Sequence, residues 1–137
     1  MCRPGGTIGV LNWTPTGFVG GLLKTVGRHV PPPPGVNPPT LWGTEDRVRE
    51  LFGDRVSSVT LTTGNVVERF PSAAFFADFF IEHYGPTLKA AEALAGDAER
   101  VRAFRDDLVA LAAGSNQTAN GTVACPWEYL VSVATKA

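Results

Sequence analysis

His29 and His83 are the two side chains of this sequence that titrate unperturbed near neutral pH, and they are the first candidates for proton transfer. His83 stands beside Tyr84 at the end of a Phe-rich segment and just before Gly85-Pro86, where a broken helix end opens onto a cleft. The same place suits a helix C-terminal histidine favourable to the helix dipole, and His29 has that reading too. Trp13 closes a short apolar run, Trp42 follows a proline-rich stretch and Trp127 opens the last β-rich one. Aromatic side chains at strand C-terminal ends lie where α/β folds place ligands, so Trp13 leads the candidates for lining a pocket. The aromatic stripe 75–84 is first a core face and second a wall for an apolar substrate.

Other catalytic patterns are missing from the sequence: it has no GxSxG, no HExxH, no P-loop and no GxGxxG after a strand. Gly17, Gly20 and Gly21 fall inside a helical stretch, which is not the place for a phosphate cradle. Glu45/Asp46 and Asp106/Asp107 are sequence neighbours that leave a helix in different directions, as solvated faces rather than acid–base pairs. Cys2 and Cys125 have no CxxC partner and no histidine at zinc-ligand spacing, so no metal site is expected and both thiols are expected to be reduced. The N-x-Thr sequons at Asn12, Asn116 and Asn120 would matter only in a secreted protein.

The elements that must position these residues follow from pattern and punctuation. Thr7–Trp13 is an apolar run between turn residues and reads as a strand buried on both faces, as in a parallel sheet. Val19, Leu22, Leu23 and Val26 recur at helical spacing over 18–30. Residues 31–39, PPPPGVNPP, hold six of the eleven prolines and form a rigid extended loop, which Leu41-Trp42-Gly43 docks onto the core. Thr44 caps a helix with Val48, Leu51 and Phe52 as its buried stripe and Gly53 as its stop. Residues 56–70 read as two strands joined by a tight turn at Thr63-Gly64-Asn65. Ser72 caps a helix to about Tyr84, Gly85-Pro86 breaks it, and helix resumes over 87–95. Asp97 caps a helix with Val101, Phe104, Leu108 and Leu111 facing the core, ended by Gly114. After a polar loop, 123–134 is a final strand.

Composition bounds the class. The chain has 137 residues, 44% hydrophobic and 18% charged, which is a globular composition. A net charge of −1 argues against a nucleic-acid binder working by phosphate neutralisation and against a polybasic membrane anchor. Residues 4–23 carry no charge, but Pro4, Pro15 and six glycines interrupt them, so neither a transmembrane span nor a signal peptide is read there. The expected location is cytoplasmic.

The combination of CRPGGTIGVLNWTP, WGTEDRVRELFG, the Phe-rich segment ending in YGPTLKA and the closing WEYLVSVATKA resembles class I S-adenosylmethionine-dependent methyltransferases, in their C-terminal half. The resemblance covers nearly the whole chain. In that family a Pro-Gly-Gly turn precedes the fifth strand, matched by Pro4-Gly5-Gly6 and Thr7–Trp13, and a last strand antiparallel to its neighbours closes the sheet, matched by about Trp127–Thr135. The resemblance implies an α/β fold: the C-terminal half of a Rossmann-like methyltransferase sheet, with helices inserted before an antiparallel last strand, over a single domain at 1–137. Cys2 and Cys125 would then sit at opposite ends of the sheet, beyond the ~7 Å Cα separation a disulfide spans.

The family grips its cofactor with a glycine-rich loop after the first strand and an acidic residue after the second. Neither is in this sequence, so no cofactor-binding residue carries over. The implied function is the substrate-side half of a transferase moving a methyl group from S-adenosyl-L-methionine to a small, fairly apolar molecule, inactive alone. Trp13, Trp42 and Tyr84 fall on the substrate side, with His83 as candidate base. A reading from another class is a non-catalytic oligomerising or ligand-binding module. Half of a doubly wound sheet exposes an apolar face and an open edge along Thr7–Trp13, suited to a homodimer or to a complementing N-terminal half.

Overall fold

The computed structural model describes residues 2–137. Their order is β1 (Thr7–Trp13), α1 (Phe18–His29), a 3-10 turn (Pro39–Gly43), α2 (Glu45–Phe52), a short 3-10 turn (Gly53–Arg55), β2 (Val56–Phe70), α3 (Ala73–His83), α4 (Gly85–Leu94), α5 (Ala98–Gly114) and β3 (Val123–Lys136). This is an α/β chain with one three-stranded antiparallel sheet in the order β1-β3-β2. The residues group into two compact units. One comprises the segment ending at Gly20, Asn37–Val66 and Trp127–Ala137; the other comprises Gly21–Val36 and Val67–Pro126.

In the first unit, β3 lies between the other two strands. β1 pairs with it antiparallel, from Thr7 opposite Thr135 to Trp13 opposite Tyr129. Ser57 of β2 donates its hydroxyl to the Thr135 carbonyl at 3.3 Å, while Gly64 lies against Tyr129, so β2 also runs antiparallel to β3. Paired residues share a face. One face carries Ile8, Val10 and Asn12 opposite Ala134, Ser132 and Leu130, and the three β3 residues are buried. The other face carries Leu11 and Val133, which remain 54% and 41% exposed.

Two strand expectations are corrected here. β1 is not buried on both faces in a parallel sheet: it is an edge strand with one antiparallel neighbour, and alternate residues along it are exposed. An apolar run reports the hydrophobicity of a segment, not whether a second layer covers it. Residues 56–70 are likewise not a hairpin but one strand of 15 residues passing through Thr63-Gly64-Asn65. Gly64 serves a close approach instead of a turn: a methyl there would lie 2.6 Å from the Tyr129 hydroxyl and 2.7 Å from its ring carbon Cζ.

The connections follow local chemistry. The Pro39–Gly43 turn packs on β1, and α2 packs on the turn. Thr44 occupies the N-cap of α2, but its hydroxyl donates backwards to the Leu41 carbonyl at 2.7 Å and leaves the cap unmade. Of the expected α2 stripe Val48 is buried, whereas Leu51 and Phe52 are half-buried.

The second unit is helical. Ser72 accepts from the Phe75 amide at the start of α3, and Asp97 accepts from the amides of Glu99 and Arg100 at the start of α5, as their sequence positions predict. α3 packs on both α4 and α5, burying Phe76, Phe80, Phe104 and Leu108. The aromatic stripe divides: Phe76 and Phe80 enter the core, while Phe75 and Phe79 stay 46% and 43% exposed, stacked on each other. Asn116 organises the polar loop by accepting from the amides of Thr118 and Ala124.

Asp78 of α3 accepts two hydrogen bonds from the Arg105 guanidinium of α5, at 2.6 and 2.9 Å, and that hydrogen bonding holds its carboxyl below the usual range. A depressed carboxyl contributes stability above its unfolded value near ~3.9 and loses it as pH falls through the folded value. The pair is solvent-exposed, so Asp78→Asn is expected to cost less than about 1 kcal/mol at pH 7. Urea unfolding at pH 7 and pH 3 checks this: the difference from wild type shrinks at the lower pH, and an equal loss at both would deny the ion pair any part in it.

Candidate functional site

The C-terminal end of β1 gathers a set of polar and aromatic side chains in the first unit. Trp13, the last residue of β1, meets Trp127 edge-on at 5.7 Å between ring centroids and Tyr129 at 6.5 Å. Phe18, at the start of α1, stacks nearly parallel on Trp127 at 5.1 Å. Aromatic pairs at such separations add about 0.5–1.5 kcal/mol beyond their buried area, which holds the strand end rigid.

Thr14 and Glu128 close this end. The buried Thr14 hydroxyl donates to Glu128 Oε1 at 2.6 Å and accepts from the Gly17 amide at 3.1 Å; Thr16 adds a second hydroxyl to the same carboxylate at 3.3 Å. On the covered face behind them, Asn12 Nδ2 and Ser132 Oγ are buried with no hydrogen-bond partner. An unmet buried polar atom costs about 1–3 kcal/mol, so these two mark a place where packing was not optimised for stability alone.

The four candidate residues from the sequence fall in both units. Trp13 sits in the strand-end cluster just described. Trp42, in the same unit, is 45% exposed and lines a cavity instead of docking the proline loop into the core. His83 and Tyr84 belong to the second unit. His83 lies exposed at the C-terminal end of α3, edge-on to Phe79 at 4.7 Å and 3.7 Å from the Glu82 carboxylate. Tyr84 is partly buried against Phe80, and desolvation raises its phenol, which stays protonated at neutral pH. His29 ties α1 to α5 through Asp107 Oδ2 at 2.8 Å, with its ring against Phe104.

Both cysteines are free thiols; Cys125 is buried, which raises its thiol, and lies inside β3. Among the described residues no group of three or more His, Cys, Asp or Glu is placed to hold a metal ion. No helix of these residues is long and apolar enough to cross a membrane.

The glycines near the start of α1 serve close packing. The space a Gly17 side chain would take is filled by Thr14 Oγ1 at 2.9 Å and Glu128 Cβ at 3.0 Å, and Gly20 is packed on the Thr14–Pro15 backbone. Sequence reading missed Glu128, Asn12 and Ser132. Thr14 and Glu128 stand far apart in the chain and share no motif, so only the fold reveals their contact.

No protein-family model matches the chain. It is 38% identical over 138 residues to an uncharacterized protein of Mycobacterium tuberculosis and equally to one of Mycobacterium bovis, each match covering 99% of the chain and 49% of the relative. A second uncharacterized M. tuberculosis protein is 36% identical over the same span. The chain thus spans about half the length of the curated relatives it matches.

Proposed function

We propose that the chain is the substrate-side half of an S-adenosylmethionine-dependent methyltransferase, acting on a small and fairly apolar molecule, and that it does not turn over by itself. The observation that carries this reading is the placement of β3, antiparallel to strands on both sides, with three helices inserted ahead of it. That is the arrangement the resemblance implies for the end of such a sheet. Two further features support it. Leu11 and Val133 stay exposed on one face of the sheet and β1 is its edge strand among the described residues, which suits a complementing half. The relatives also carry as much sequence again as the match covers.

When bound, S-adenosylmethionine would supply an electrophilic methyl group. Methyl transfer rests largely on positioning. In this reading the substrate-side candidates are Trp13 and Trp42 in the first unit and Tyr84 in the second, with His83 of the second unit as the candidate base.

Calorimetric titration with S-adenosylmethionine tests the proposal on two proteins. The chain alone is expected to bind none at micromolar concentration. The M. tuberculosis relative at 38% identity is expected to bind it and to transfer methyl groups. A relative that does not bind would overturn the methyltransferase reading, and micromolar binding by the isolated chain would overturn the assignment to the substrate side.

A further inference from the structure

Towards the opposite end of β1 from Trp13, the first unit contains a cavity of about 490 Å³. Its size is within the roughly 300–1,000 Å³ of small-molecule sites. Ile8 of β1, Trp42 of the Pro39–Gly43 turn, Leu51 and Phe52 of α2 and Val56 of β2 supply apolar walls. Trp42 forms one wall while remaining half exposed, an arrangement that internal packing does not explain.

Two cations share this lining, Arg55 and Lys136. Both are held in place by backbone carbonyls. Lys136 Nζ donates to the Cys2 carbonyl at 3.0 Å, and Arg55 donates through Nε to the Phe52 carbonyl at 3.2 Å and through Nη2 to the Leu51 carbonyl. Among the described residues neither forms an ion pair with a carboxylate, unlike Arg28, Arg47, Arg49 and Arg105. Carbonyl oxygens satisfy N–H donors but leave a full positive charge on each head. Two cationic heads beside an apolar wall attract an anion whose remaining surface is hydrocarbon.

We infer that this cavity is a binding site for a small apolar carboxylate, with the hydrocarbon against Trp42, Ile8 and Phe52 and the acid between Arg55 and Lys136. The site is independent of S-adenosylmethionine, so its test and that of the proposed function fail separately.

Three eight-carbon probes separate charge from hydrophobicity: octanoate, octan-1-ol and octylammonium, each titrated into the chain and followed by the Trp42 indole and Ile8 methyl resonances. Octanoate is expected to bind about tenfold tighter than octan-1-ol, in keeping with one or two charge-assisted hydrogen bonds, and octylammonium more weakly than either. Lys136→Gln removes one charge at the end of β3 and is expected to bring octanoate towards octan-1-ol; Arg55→Gln does the same from the other side. The proposal falls if octan-1-ol matches octanoate, if Lys136→Gln leaves octanoate affinity unchanged, or if the shifts avoid Trp42 and Ile8. Should Arg55→Gln unravel the end of α2, the probe series on the unaltered chain and Lys136→Gln still decide it.

Discussion

Replacing Gly43 by alanine is expected to destabilise the first unit by about 3 kcal/mol, the upper end of what overpacking a close contact costs. Gly43 is buried where the Pro39–Gly43 turn crosses the end of β1. A methyl group there would fall inside the van der Waals shell of the Trp13 carbonyl oxygen, 2.6 Å from the Trp13 carbonyl carbon and 2.9 Å from Thr14 Cα. All three are backbone atoms, which cannot rotate away as a side chain would. Relief requires the turn to lift off the strand, carrying Trp42 with it and loosening the Trp13 end. With a urea slope of about 2 kcal/mol per molar, the midpoint followed by tryptophan fluorescence should fall by about 1.5 M. Gly85→Ala is the control: nothing lies within 4 Å of a Cβ at that position, so its change should stay within about 0.5 kcal/mol. If Gly43→Ala is as mild as the control, the turn does not rest on β1 and the placement of Trp42 at the cavity is wrong.

The second large effect belongs to the helical unit. Phe104→Ala is expected to cost about 3–5 kcal/mol, the range for deleting a fully buried phenylalanine. Phe104 is completely inaccessible on α5 and meets the His29 ring at 5.2 Å. The cavity left by its ring would be walled by packed helices that relax only in part, so the lost transfer energy and the void both count. Phe75→Ala is the informative partner, because Phe75 is an exposed residue of α3 whose ring stacks on Phe79. Its loss should stay below about 1 kcal/mol. Thermal unfolding followed by helical circular dichroism reads both. Equal losses would mean that the exposed Phe75–Phe79 strip is packed in solution, and the division of the aromatic stripe would fail.

Helix starts were legible because caps are local. Ser72 and Asp97 bond amides two or three residues ahead, so the spacing in the sequence already contains the geometry. Thr44 shows the limit of that logic: a capping residue type at the right place used its hydroxyl on Leu41 instead, because the preceding 3-10 turn offered a carbonyl first. The proline loop and the break at Gly85-Pro86 were legible for the same local reason, since proline fixes its own backbone angle.

The candidate site was legible only in part. Trp13 stood out as an aromatic residue closing an apolar run, and it does end a strand. Its ring partners Trp127 and Tyr129 come from the far end of the chain, as do Glu128, which meets Thr14, and Ser132 with its unmet polar atom. Arg55 and Lys136 belong to no motif in the sequence. What distinguishes them is that carbonyls, and not carboxylates, hold them beside an apolar cavity.

The sequence by itself determined where helices begin and break, that the last segment is a strand, and that no familiar catalytic motif is present. These depend on interactions within a few residues, or on residue type alone. Tertiary structure decided that Thr7–Trp13 is an edge and not a buried central strand, that Val56–Phe70 runs straight through a glycine shaped like a turn, and which phenylalanines are core. Each of those depends on what lies across a sheet or beneath a helix. Gly64 gives the physical reason plainly: its missing side chain makes room for Tyr129, and a contact 65 residues distant leaves no mark on the residues either side of it.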